Sequence, residues 1–140
     1  MRRIHTHSPR GQDPLRIIAD DTPFRGGASC RYVVVGFDTG NNRSARRGGF
    51  VPRFKDLSVI FDSSEGDGVQ GRPDGVTLDA LLAICADHLK GLQTGSSGSV
   101  DKQLAADYID SARGLLAQDT DSLRGRLKSG DFQSSGTWSL

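Results

Sequence analysis

A chain of 140 residues suffices for one compact domain, or for one domain with a small appendage. Only 35% of the residues are hydrophobic and 18 are glycine, so the core is expected to be thin and completed by neighbouring copies. The formal net charge of +1 argues against a bulk electrostatic grip on duplex nucleic acid. That balance is uneven: bases outnumber acids up to Val76, and acids slightly outnumber bases from Thr77 onward.

Residues 1–14 are polar, basic and contain two prolines, which reads as a mobile tail. They hold no apolar h-region, so no signal peptide is expected, and no apolar run approaches the roughly 20 residues of a membrane span. The run LRIIA at 15–19 is a short strand candidate. RYVVVGF at 31–37 is a stronger one, because β-branched and aromatic residues suit a pleated surface. A turn cluster at 38–42 leads into a basic loop with Arg43, Arg46, Arg47, Arg53 and Lys55, and LSVIF at 57–61 gives a third strand. Residues 62–74 form a Gly-rich connection.

From Thr77 the apolar period changes from two to about 3.6. Leu78, Leu81, Leu82, Cys85, Leu89 and Leu92 fall on one stripe of a helix. Thr77 is a good N-cap, and Asp79 sets negative charge against the positive end of the dipole. Residues 95–99 (GSSGS) fit a helix–helix turn, and Ser99 can cap a second helix. There Leu104, Ala105, Tyr108, Ala112, Leu115, Leu116 and Leu123 share a broad stripe, with Asp119 in its midst. Two such helices on a short turn should pack antiparallel.

The sequence offers little for catalysis. Residues 66–71 match G-x-G-x-x-G, yet Arg72, Pro73, Asp74 and Gly75 intervene before the helix. A dinucleotide site needs the helix to open inside the motif, so a Gly-rich connection is the plainer reading. His5 and His7 have no carboxylate or thiol at ligand spacing. Cys30 and Cys85 stand alone, without a CxxC pair, and read as reduced, half-buried small hydrophobes. His88, three residues from Cys85, reads as a packing, interface or binding residue rather than half of a nucleophile pair. Phosphate binding has better support. Arg124, Arg126 and Lys128 cluster where the second helix should end; they either complement its dipole or clamp phosphate oxygens.

Read as a unit, the second half carries a resemblance. Residues 57–62 (LSVIFD), a Gly-rich loop and the run DGVTLDALLAICADHLKGLQ at 74–93 resemble the hairpin of the bacteriophage anti-Thoeris and anti-CBASS sponge family. The matching positions are Asp74, Gly75, Val76 and Thr77 at the helix start, 83–89 (AICADHL) in its middle, and Leu92 and Gln93 at its end. Upstream, residues 26–32 (GGASCRY), 36–42 (GFDTGNN) and 52–54 (PRF) resemble the β-domain of the longer, anti-Thoeris members. The turn at 95–99 and the pair Asp119 and Thr120 depart from the family pattern, which has an Arg-Thr pair in the latter place.

The resemblance implies an oligomer, typically a hexamer, in the host cytoplasm. It would bind cyclic ADP-ribose isomers or cyclic di- and trinucleotides and sequester them uncleaved, without catalytic residues, metal or cofactor, and without DNA or membrane as partner. The expected architecture is α+β: a small N-terminal antiparallel β-sheet followed by a C-terminal antiparallel helical hairpin, oligomeric. The expected divisions are a tail at 1–14, a β-rich domain at 15–74, a hairpin at 75–128 and a second tail at 129–140. The expected ligand-binding residues are Asp74, Gly75, Thr77, His88, Gln93, Asp119, Thr120, Arg124, Arg126 and Lys128. The competing readings are an oligomeric structural or protein-interaction module, and a cyclic-nucleotide phosphodiesterase.

Overall fold

The computed structural model describes residues 1–5, 7–8, 10–21, 28–49, 53–63 and 72–129, the side chains of 47–49, 123–124 and 126–129 excepted. The chain is α+β, an antiparallel four-stranded sheet followed by two packed helices. It divides into two compact units, Met1–Phe61 and Asp62–Leu140.

The first unit is built on strands β1 (Arg2–Arg3), β2 (Arg16–Ala19), β3 (Arg31–Val35) and β4 (Asp56–Ile60), each hydrogen-bonded antiparallel to the next in sequence. Ile17 lies opposite Val34, and Val34 opposite Leu57. Because side chains alternate along a strand, Ile17, Ala19, Tyr32, Val34, Leu57 and Val59 share one face. Arg16, Ile18, Arg31, Val33, Val35, Ser58 and Ile60 share the other. Ala19 is buried, and the Tyr32 and Phe61 rings meet edge to face at 5.8 Å. Across the sheet Arg31 Nε pairs with Asp20 Oδ2 at 3.2 Å. Arg2–Arg3, within the segment read as a tail, forms an edge strand, and the Ile4 amide donates to the Ile17 carbonyl at 2.9 Å. Two cationic side chains on a two-residue edge are a composition that discourages pairing with another chain. Gly36 ends β3 at φ +108°, a conformation that favours glycine.

Between β3 and β4 the chain makes two 3-10 turns, Thr39–Asn41 and Arg43–Gly49. Asp38 caps the first, accepting from the Gly40 amide at 2.9 Å.

The second unit is the hairpin, α1 (Leu78–Leu92) and α2 (Val100–Ser129). Thr77 Oγ1 caps α1 by accepting from the Ala80 amide at 3.1 Å, and Ser99 Oγ caps α2 by accepting from the Lys102 amide at 3.1 Å. Asp79 and Asp101 occupy the respective first turns, as the dipole favours. The helices run antiparallel, because Lys90 late in α1 pairs with Asp110 (2.8 Å) while Asp79 early in α1 pairs with Arg113 (2.8 Å). This register sets Ala86 level with Ala106, which are 2% and 0% exposed. Small residues at such a crossing allow close approach of the helix axes.

Two expectations change at the helices. The stripes predicted to face each other are only partly used: Leu81, Leu82, Leu89, Leu92 and Leu116 are half-buried, whereas Leu78, Leu104, Tyr108 and Leu115 are exposed, and half-buried Ile109 joins the seam from outside the predicted stripe. Cys85, expected half-buried, is exposed, and Cys30 is half-buried. The reason is angular. A helix contacts a single neighbour along a narrow strip, and small residues there draw the partner in, turning the bulkier residues of a broad stripe outward. The glycine motif at 66–71 lies outside the described residues.

Candidate functional site

The sequence places its candidates along the hairpin, and the fold sorts them by end. At the start of α1, residues 62–63 are bonded to residues 74–76 within the second unit. The Asp62 amide donates to the Val76 carbonyl at 2.9 Å, and the Asp74 amide donates to Asp62 Oδ1 at 3.2 Å. Asp74 in turn accepts from the Ser63 amide at 2.7 Å and from the Ser63 hydroxyl. The Ser63 hydroxyl is the main cause holding the Asp74 carboxyl below the usual carboxylate range, helped by the Ser63 amide. Asp74 thus works as a clasp on the loop, with both carboxylate oxygens engaged. Thr77 spends its hydroxyl on the helix cap, and Gly75 is half-buried beside it.

Gln93 closes the opposite end. Its Nε2 donates to the Ser99 carbonyl at 2.8 Å, and its Oε1 accepts from the Ser99 amide at 2.7 Å. A Cβ on Gly98 would stand 2.8 Å from Gln93 Oε1 and 3.1 Å from the Gln93 carbonyl oxygen, so glycine is what admits this clamp. His88 is exposed on α1. A helix of 15 residues is about 22 Å long at roughly 1.5 Å per residue. Thr77 and Gln93 therefore cannot line one small-molecule pocket within a single copy.

The remaining candidates lie on the far half of α2. With Asp79 at Arg113, α1 is used up, yet α2 continues to Ser129. The stretch beyond Leu116 extends about 20 Å, at roughly 1.5 Å per residue. It carries Asp119 and Thr120, both exposed, and the Thr120 hydroxyl donates to the Leu116 carbonyl at 3.0 Å. Arg124, Arg126 and Lys128 belong to its last turns. Arg124 and Lys128 stand one turn apart on the helix and Arg126 stands between them on another side, by the 3.6-residue period. Because the hairpin is antiparallel, this half of α2 leaves from the end of α1 where Asp74, Gly75 and Thr77 sit. The hairpin thus gathers eight of the ten candidates toward one end and leaves His88 and Gln93 toward the other.

Sequence reasoning missed the ionic seam of the hairpin. Arg113 holds Asp79, and also approaches Asp110 at 3.6 Å. Arg113 is the main cause depressing the Asp79 carboxyl, and Lys90 the main cause depressing that of Asp110. The signal was available: Ala106, Ile109, Arg113 and Leu116 recur at helical spacing, but a cation in that row hid it. In the first unit, Asp38 is held low chiefly by the Arg53 guanidinium, whose Nε lies 2.9 Å from both carboxylate oxygens. Among the described residues no group of three or more His, Cys, Asp or Glu is arranged to hold a metal ion, and His7 instead pairs with Asp13 at 3.0 Å. Among them, too, no helix is long and apolar enough to cross a membrane. No known protein-family model matches the chain, and no curated protein matches it.

Proposed function

We propose that this chain is a non-catalytic, self-associating binder of cyclic nucleotides that sequesters immune signals in the host cytoplasm, as the likeness to phage sponges implies. The observation that carries the reading is the unequal length of the helices. An α2 of 30 residues packs against an α1 of 15, so the stretch beyond Leu116 projects past its partner with Arg124, Arg126 and Lys128 on its last turns. Guanidinium groups meet phosphate oxygens in bidentate fashion, and lysine adds a point charge. A second support is the row Leu104, Tyr108 and Leu115, exposed at 46%, 67% and 67%. This row lies on the side of α2 away from α1 and offers a surface for a sister hairpin. A hexamer would bring the separated ends of different hairpins together, which is how His88 and Gln93 would join the other candidates.

The exposed row by itself equally favours a structural or protein-interaction module, and ligand titration separates the two. The test is calorimetric titration with cyclic ADP-ribose isomers and with cyclic di- and trinucleotides, followed by heat denaturation and mass analysis of the released ligand. Sequestration requires saturable binding and recovery of intact ligand. Degraded ligand would identify an enzyme instead, and silence across the panel would leave the interaction module as the reading.

A further inference from the structure

Charge is segregated between the two units. Met1–Phe61 carries eleven Lys and Arg against five Asp, a formal +6, while Asp62–Leu140 carries seven against twelve acids, a formal −5. The total of +1 conceals two opposite fields. At physiological ionic strength, exposed charges more than about 8 Å apart are largely screened from one another. A polyanion at the first unit therefore responds to local density and not to the sum.

That density peaks at residues 43–55, which hold Arg43, Arg46, Arg47, Arg53 and Lys55 and no acid. The two ends of the segment are tied to the turn at Asp38. Arg53 Nε bonds both Asp38 oxygens, the Phe54 amide donates to Thr39 Oγ1 at 2.8 Å, and the Thr39 amide donates to the Phe54 carbonyl at 3.2 Å. Asn42 Oδ1 accepts from the Ser44 amide at 2.9 Å, and Arg46 Nη2 donates to the Gly40 carbonyl at 3.0 Å. Asp38 offsets Arg53 directly. Arg43 and Arg46 are exposed and meet no carboxylate among the described residues, and Lys55 is exposed. Phe54, between two cations in the sequence, is 53% exposed.

A charged backbone track with an exposed aromatic beside it is the composition of a single-strand nucleic-acid surface, where cations follow phosphates and a ring stacks on a base. Attachment to a lipid surface instead favours an amphipathic helix with a continuous apolar face, and the segment Arg43–Gly49 is a short 3-10 turn. We propose that Arg43, Arg46, Phe54 and Lys55 form a binding surface for single-stranded nucleic acid, with the three cations on phosphates and Phe54 under a base.

The experiment is fluorescence anisotropy of the full chain with labelled 20-nucleotide oligouridylate and oligothymidylate, from 50 to 200 mM salt. With three phosphates neutralised, log K is expected to fall against log salt with a slope of about −2, at roughly 0.7 per phosphate. Arg43→Ala with Arg46→Ala and Lys55→Ala should weaken binding at least about tenfold and flatten the slope. Arg43→Lys with Arg46→Lys, which keeps the charge, should stay within about threefold. Phe54→Ala should weaken binding about tenfold and leave the slope intact. The proposal is overturned by absence of binding at 50 mM salt, by unchanged affinity in the triple variant, or by binding to phosphatidylserine vesicles without binding to either oligonucleotide.

Discussion

Replacing Ala106 by leucine tests whether the hairpin is held at close approach. Ala106 is fully buried on α2, at the level of nearly buried Ala86 on α1. Leucine adds three carbons where two methyl groups now allow the axes together, and the ion pairs Lys90–Asp110 and Asp79–Arg113 on the same seam resist separation. Overpacking of this kind costs about 1–3 kcal/mol. For a cooperative unit of 60–100 residues, each kcal/mol lowers Tm by roughly 4–8 °C, so a fall of at least about 4 °C is expected in the helical circular-dichroism melt. Ala117→Leu is the matched control, because Ala117 lies exposed just past the packed region and should shift stability by less than about 0.5 kcal/mol. Equal melts for wild type and Ala106→Leu would refute the packing argument. So would equal losses in the two variants, which would trace the effect to helix propensity.

Gln93→Ala removes both hydrogen bonds that close the turn, at about 1 kcal/mol each, and should lower the same melt by several degrees. Gly98→Ala should act in the same direction by displacing Gln93. Acidification should weaken the hairpin in a defined window. Arg113 and Lys90 hold the Asp79 and Asp110 carboxyls below the ordinary carboxylate range in the folded chain, so their contribution is complete above that range and is lost as pH falls through the lower folded values. Helical Tm should therefore hold to about pH 4.5 and then drop, with a shallower acid limb in Asp79→Asn; identical limbs would remove Asp79 from the seam. If the chain self-associates as proposed, light scattering should give a mass above that of one chain, and Leu104→Ser with Tyr108→Ser and Leu115→Ser should lower it while preserving helicity; an unchanged mass would show that this row is not the interface.

The architecture was legible in the sequence because its strongest signals are local. The Val33–Val35 run, the Thr77 cap with Asp79, and the Ser99 cap with Asp101 each specify an element without help from distant residues. The facing strips of the hairpin were not legible. A row such as Leu104, Tyr108 and Leu115 outweighs Ala106 in any count of apolar residues, yet close packing selected the alanine. Arg113 escaped notice because its partner Asp79 lies 34 residues earlier. The family motif makes Gln93 a ligand residue, and its two bonds to Ser99 give it structural work that only the fold reveals. Asp74 is similar, its carboxylate engaged by Ser63 across the Gly-rich connection.

A helix can be buried by one neighbour only over a limited arc. In α2 the arc through Ala106, Ile109 and Leu116 is taken by α1, and the row Leu104, Tyr108 and Leu115 points the other way. No movement of α1 can cover both arcs, since turning toward one exposes the other. Past Leu116 the helix also outruns α1 altogether, over a length that a 15-residue partner cannot supply. Both deficits sit on the same helix, and in the proposed self-association a helix from another molecule laid along the side that α1 leaves open would meet both. Such a neighbour would cover the exposed row and run beside the basic end of α2 as well. In the proposed function, then, self-association and ligand binding draw on the same stretch of chain, and any substitution that weakens the first also alters the surroundings of Arg124, Arg126 and Lys128.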